Sequence, residues 1–139
     1  MKTVTMITAL LLSTLVAPAL AAEVKVQVNN LTANKGKLYA SLCTSEKFMV
    51  ARCDFEIVLA VKQDKAQLVF NNLDAGQYAV SIFYDVNSNG KLDSSLFGIP
   101  EEPTGVSNNA VGKNGPPKFS DASFVLSAEQ EHQLTIDLY

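Results

Sequence analysis

Apolar and polar residues alternate along most of the chain after its first twenty or so positions. Val24, Val26 and Val28 fall on one face, and Glu23, Lys25, Gln27 and Asn29 on the other, which is the period-two signature of a half-buried strand. The alternation recurs at Leu38/Ala40/Leu42, Phe55/Ile57/Leu59/Val61, Ala66/Leu68/Phe70, Tyr78/Val80/Ile82/Tyr84, Ala122/Phe124/Leu126 and Leu134/Ile136/Leu138, so seven strands are predicted. Turn residues separate them, as at Asn34-Lys35-Gly36, Gln63-Asp64-Lys65, Asp74-Ala75-Gly76 and Ala128-Glu129-Gln130. Connections this short make neighbours antiparallel. Seven short strands, each with one polar face, bury their apolar faces best as two sheets packed together.

The expected fold is therefore all-β, a seven-stranded antiparallel β-sandwich of immunoglobulin-like or transthyretin-like type. The passage Phe70 to Val80 resembles the turn into a central strand in transthyretin-like and carboxypeptidase regulatory-like domains. In this reading Gly76 supplies a turn conformation, and Tyr78 and Val80 re-enter the core. One segment breaks the alternation. Residues 86–118 hold five of the seven glycines and four of the five prolines. Structureless loops of that length are functional or disordered, and with no second domain to link, this one is expected to lie over its own sandwich.

The start of the chain has another logic. Lys2, the apolar run Ile7 to Val16 and the small residues Ala17, Ala19, Ala21 and Ala22 form an export signal, with Ala19-Leu20-Ala21 fitting the cleavage rule. The run is shorter than the roughly 20 residues of a spanning helix, and no lipobox cysteine suggests a lipid anchor. The expected division is a signal peptide over residues 1–21 and one domain over 22–139, periplasmic or extracellular, with no transmembrane segment after cleavage. In an oxidising compartment Cys43 and Cys53 are expected to form a disulfide; nine intervening residues do not suit a C-x-x-C redox pair. Residues 45–52 between them could form a helical turn. A net charge of −3 without a Lys/Arg cluster argues against nucleic acid as a partner.

The candidate chemistry begins where the fifth strand ends. Asp85-Val86-Asn87-Ser88-Asn89-Gly90-Lys91-Leu92-Asp93 follows the calcium-loop pattern D-x-[DN]-x-[DN]-G. Asp85, Asn87 and Asn89 would offer side-chain oxygens, Lys91 its carbonyl, and Asp93 a direct or water-mediated contact, while Gly90 makes the turn and Leu92 fastens the loop to the core. The twelfth position, normally a bidentate Glu, is Leu96. Glu101 or Glu102 would have to fold back in its place, and the expected affinity for Ca2+ is weak, about 10⁻⁴ to 10⁻³ M. The alternative is a metal-free turn at Asn89-Gly90 capped by Asp85 and Asn87.

Downstream lie Gly98-Ile99-Pro100-Glu101-Glu102, then Gly105-Val106-Ser107-Asn108-Asn109, then Gly115-Pro116-Pro117-Lys118-Phe119. With the D-x-N-x-N-G-K-x-D loop, these blocks resemble, in order, the bacterial family known as domain of unknown function 2141. The resemblance implies an exported envelope protein of no assigned activity. Two positions depart from the pattern: Tyr84 stands where a histidine often precedes the aspartate, and Val106 replaces an aromatic residue. Ser107, Asn108 and Asn109 can be read as a polar recognition patch in a binding loop or as hydrogen bonding within the loop. Gly115-Pro116-Pro117 is most simply a rigid re-entry into the next strand.

Enzymatic readings find little. The only histidine, His132, opens the last strand beside no nucleophile, and Glu101 and Glu102 are neighbours rather than convergent carboxylates. An outer-membrane barrel would need longer strands. The expected role is a non-enzymatic binding or structural module whose calcium-ordered loop presents a surface to a protein or glycan of the cell envelope. A carrier of a small apolar ligand, between the sheets or under the loop, is the alternative; a metal-assisted hydrolase using Asp85, Asp93 or Glu101 ranks last.

Overall fold

The computed structural model describes residues 21–139. The proposed export signal lies almost wholly outside the described residues. The chain forms strands β1 (Ala22–Asn29), β2 (Lys37–Cys43), β3 (Phe55–Ala60), β4 (Ala66–Leu73), β5 (Gly76–Asp85), β6 (Thr104–Val106), β7 (Phe124–Leu126) and β8 (Glu131–Asp137). Strand β6 is followed by a 3₁₀ turn, Ser107–Asn109, and a single helical turn, α1 (Phe119–Ala122), precedes β7. Two sheets result, ordered β4-β1-β8 and β3-β2-β5-β6, with β7 also pairing with β5. They make the β-sandwich that the alternation implies.

The inward residues of the alternation form the core. Val24, Val26 and Val28 of β1 and Ile136 of β8 meet Leu38, Ala40 and Leu42 of β2 and Val80, Ile82 and Tyr84 of β5, all buried. The Tyr84 hydroxyl is satisfied by donating to the Lys35 carbonyl at 2.6 Å, with the Thr32 carbonyl 3.1 Å away. Burial of a tyrosine is tolerable on those terms.

Four features depart from the expected plan. Strand β8 runs parallel to β1, pairing Glu23 with Glu131 through Asn29 with Asp137, because the chain returns from the other sheet rather than through a hairpin. Lys25 bridges this pair at 2.7 Å from Glu131 and holds that carboxyl below its ordinary range. Strand β6 lies inside the segment expected to be structureless, and the sixth predicted strand begins as α1, in which Ala122 is buried. In the Phe70–Val80 passage the left-handed residue is Asn72 (φ 57°), at a bulge where β4 carries one extra residue against Ala22–Val24. Gly76 instead makes room for the Tyr78 ring, 3.3 Å from where its Cβ would be.

The outer face of the larger sheet is divided. At one end Cys43 and Ala79 are covered by Phe48, Ala122 and Val106, a second small core in which Phe48 and Phe119 meet edge to face at 5.8 Å. Cys43 and Cys53 are joined by a disulfide that closes residues 44–52 into a series of turns. Reduction should lower unfolding stability by about 2 to 3 kcal/mol, the loop-closure contribution of a ten-residue ring, read from urea midpoints with and without reductant. An unchanged midpoint would mean that Phe48 packing alone holds the loop.

Candidate functional site

Strict alternation along β5 places Ala79, Ser81, Phe83 and Asp85 on the outer face of the larger sheet. Asp85 ends the row, and the chain then turns over it. Its carboxylate is fully buried (0 % exposed) and accepts hydrogen bonds from the backbone N–H of Asn89 at 3.0 Å and of Gly90 at 2.8 Å. A buried carboxylate requires such partners. Gly90, at φ +81°, supplies the backbone reversal that aims both amides at it.

The rest of the loop closes through its own side chains. The Asn87 oxygen accepts from Asn89 N–H and the Asn89 oxygen from Lys91 N–H, while both amide nitrogens donate to the Asp93 carboxylate at 2.6–3.0 Å. Glu102, 8 % exposed, reaches back to accept from Val86 N–H at 2.9 Å and from Asp93 N–H at 3.1 Å. The two ends of the loop are thereby clasped. Glu101 is exposed; only its backbone N–H joins the loop, donating to the Asp93 carbonyl at 2.8 Å. Of the two carboxylates that could fold back, Glu102 does so and Glu101 does not, across the bridge between Ser94 and Pro100. Leu92 does not fasten the loop to the core; it is 38 % exposed.

Among the described residues no three His, Cys, Asp or Glu side chains converge as a metal-holding group. A cation here would rely on Asp85 and Asp93 with amide and backbone oxygens, and the loop as it stands satisfies both carboxylates with N–H donors. The approach from below is equally tight. A Cβ on Gly36, at φ +72°, would lie 2.5 Å from the Asp85 carbonyl and 2.9 Å from Val86 Cα, so the β1–β2 connection can pass under the loop only as glycine.

Ser107, Asn108 and Asn109 tie the loop to the sandwich through hydrogen bonds, with Ser107 buried and Asn108 and Asn109 exposed. Ser107 is fully buried: its hydroxyl accepts from Val80 N–H at 2.9 Å and donates to the Ala122 carbonyl. Asn108 donates to the carbonyls of Asp121 and Ser123, and Asn109 accepts from Asp137 N–H at 2.9 Å. Strand β6 reaches both sheets, since Thr104 and Tyr139 exchange backbone bonds at 3.1 Å while Gly105 pairs with Ile82. A Cβ on Gly105 would approach Ile136 to 2.6 Å.

Between this loop and the sheet lies an open groove of about 760 Å³, whose floor residues the sequence analysis did not single out. Its floor is a row of cross-strand neighbours, Thr104, Phe83 and Tyr39, the last two stacked at 4.7 Å and within 2° of parallel. Leu92, Phe97, Ile99, Val111 and Pro117 wall it, with Met49 from the disulfide loop. Among the described residues no Asp, Glu, Lys, Arg or His side chain lines it. The signal was present in the two aromatic residues on the supposedly polar face of β2 and β5, and in the apolar run Leu96 to Pro100.

The fold and site define a disulfide-stapled sandwich with a clasped loop over an apolar groove. Residues 26–134 match the family described as an uncharacterized protein conserved in bacteria, DUF2141, and the chain belongs to that family. No curated protein and no solved structure matches it.

Glu102→Ala should cost about 1 to 3 kcal/mol, the penalty for stranding two hydrogen-bonded amides, with faster hydrogen exchange at Val86 and Asp93. Glu101→Ala should stay within about 0.5 kcal/mol. Equal losses from both would refute the clasp.

Proposed function

We propose that this chain is an exported, non-enzymatic binding module that holds a small, uncharged, apolar molecule in the groove on the outer face of its larger sheet. The observation that carries this reading is the groove lining. Its size falls within the roughly 300 to 1,000 Å³ of small-molecule sites, which are mostly apolar with a few placed polar groups. Here the polar side chains on the lining are Ser41, Ser81, Thr104 and Asn114, with the tyrosine hydroxyls. Among the described side chains of the lining a charged ligand would find no counter-ion, and a glycan would find few of the hydrogen-bonding groups it needs. Among the described residues the lining offers no carboxylate, imidazole or amine side chain to act as a general acid or base at physiological pH, which favours binding over catalysis. The space between the sheets is filled by the core, so the ligand lies under the loop. The Cys43–Cys53 disulfide supports an oxidising compartment.

Nile red, an uncharged dye, should bind the purified protein with enhanced emission. Ser81→Arg, which places a long cation on the floor, should weaken binding at least about tenfold without lowering the melting temperature. Absence of dye binding, together with no co-purifying molecule by native mass spectrometry, would overturn the reading.

Calcium at the loop is a second reading, favoured by Asp85, whose two backbone donors leave each oxygen a further lone pair, and by the oxygen-bearing residues at alternate positions to Asp93. The ion would compete with the Asn87 and Asn89 amides for Asp93. About 10 mM calcium, above the affinity range of weak extracellular sites, should raise the melting temperature of the natural chain and not of Asp93→Ala. No shift in the natural chain would remove the metal.

A further inference from the structure

The hairpin tip Ser94–Pro100 borders the groove, and its apolar side chains are largely exposed among the described residues. Leu96 is fully exposed (103 %), Phe97 is 90 % exposed and Ile99 64 %. No charged residue lies between Asp93 and Glu101. We infer that this tip inserts into the interface of a zwitterionic lipid surface, so that the groove loads an apolar molecule resident in that surface. The inference rests on the groove reading for the ligand and on the tip alone for the docking.

Four observations favour lipid over a protein partner. The apolar residues are consecutive on a convex turn, a shape that suits a deformable interface better than a preformed protein cleft. The backbone of the tip is largely self-satisfied: Ser95 N–H donates to the Ile99 carbonyl at 2.8 Å, Gly98 N–H to the Ser95 carbonyl at 2.9 Å, and Ile99 N–H to the Ser95 hydroxyl at 3.3 Å. Pro100 has no N–H. Groups paired in this way enter a low-dielectric layer without the cost of stripped amides, and the N–H groups of Leu96 and Phe97 restrict insertion to headgroup depth, where water persists.

Charge supplies the third argument. Asp93 and the exposed Glu101 flank the tip, and the chain carries −3 overall, so an anionic surface would repel it while a zwitterionic one would not. The fourth is continuity. Phe97, Gly98, Ile99 and Pro100 belong both to the tip and to the groove wall, whereas Leu96 belongs to the tip alone. Insertion would therefore turn the mouth of the groove toward the lipid, and a water-insoluble ligand could enter without crossing solvent.

Leu96 makes the two readings separable. Co-flotation of the mature chain with phosphatidylcholine vesicles should show bound protein, and Leu96→Asp should reduce the bound fraction at least about tenfold, the least expected when a side chain of this size loses its apolar burial. The same variant should keep the natural affinity for Nile red in solution. Ser81→Arg should do the opposite, losing the dye and keeping the vesicles. Failure of the natural chain to float, or flotation that survives Leu96→Asp or requires anionic lipid, would overturn the docking. Loss of dye binding in Leu96→Asp would overturn the separation of tip from groove, and a natural chain that floats yet binds no dye would leave the tip standing and remove the groove.

Discussion

The burial of Asp85 is the constraint on which the rest of the outer face depends. A carboxylate at the end of a central strand, on the side away from the core, would ordinarily point into water. Here it is covered, and a covered charge is tolerable only when its oxygens are hydrogen-bonded. Asn89 and Gly90 supply those bonds from the backbone, which forces the chain to double back as it leaves β5. Glu102 repeats the device at the far side. Two carboxylates therefore decide where the loop leaves the sandwich and where it returns.

That decision separates the two ends of one sheet face. The row Cys43 and Ala79 is roofed by the disulfide loop and α1, while the row Tyr39, Phe83 and Thr104 is left open beneath the clasped loop. Had the loop entered at a different height, Pro116 and Pro117 would have had no reason to reach the same cavity as Phe97. The groove is thus a consequence of loop placement as much as of the floor residues. Rigid elements hold that placement better than loop contacts would: β6 and Ser107 fasten the middle of the loop to both sheets.

The inner layer was legible in the sequence because one physical effect, burial of one face, writes itself at period two. Val24/Val26/Val28 and Tyr78/Val80/Ile82/Tyr84 face the core as the alternation implied. What the pattern could not carry was pairing between distant segments. The parallel β1–β8 neighbours and the three-residue β6 owe their existence to tertiary contacts, not to local preference. In the site, residue type revealed that Asp85, Asn87, Asn89 and Asp93 belong together, and did not reveal whether their oxygens face a cation or one another's N–H groups. Adjacent Glu101 and Glu102 are indistinguishable by composition. Only strand register assigns the inward place to Glu102. Tyr39 and Phe83 lie on the strand face away from the core, and aromatic residues there become a floor only once the walls are in place.

The loop over residues 86–118 would be costly to order as a single span. Closure entropy grows slowly with length, but each residue fixed along the way also loses backbone freedom. The chain avoids ordering it as one unit. Asp85 and Glu102 close a first ring, Ser95 and Ile99 close a hairpin within it, β6 zips against β5, and Asn108 joins the turn before β7. Each closure is short and satisfied by its own hydrogen bonds. An ordered tip with exposed leucine and phenylalanine is then the expected result, because the tip is held by its backbone bonds and the Ser95 hydroxyl, and Leu96 and Phe97 make none of those hydrogen bonds. Side chains free of a structural duty are the ones a protein can leave exposed for an external surface.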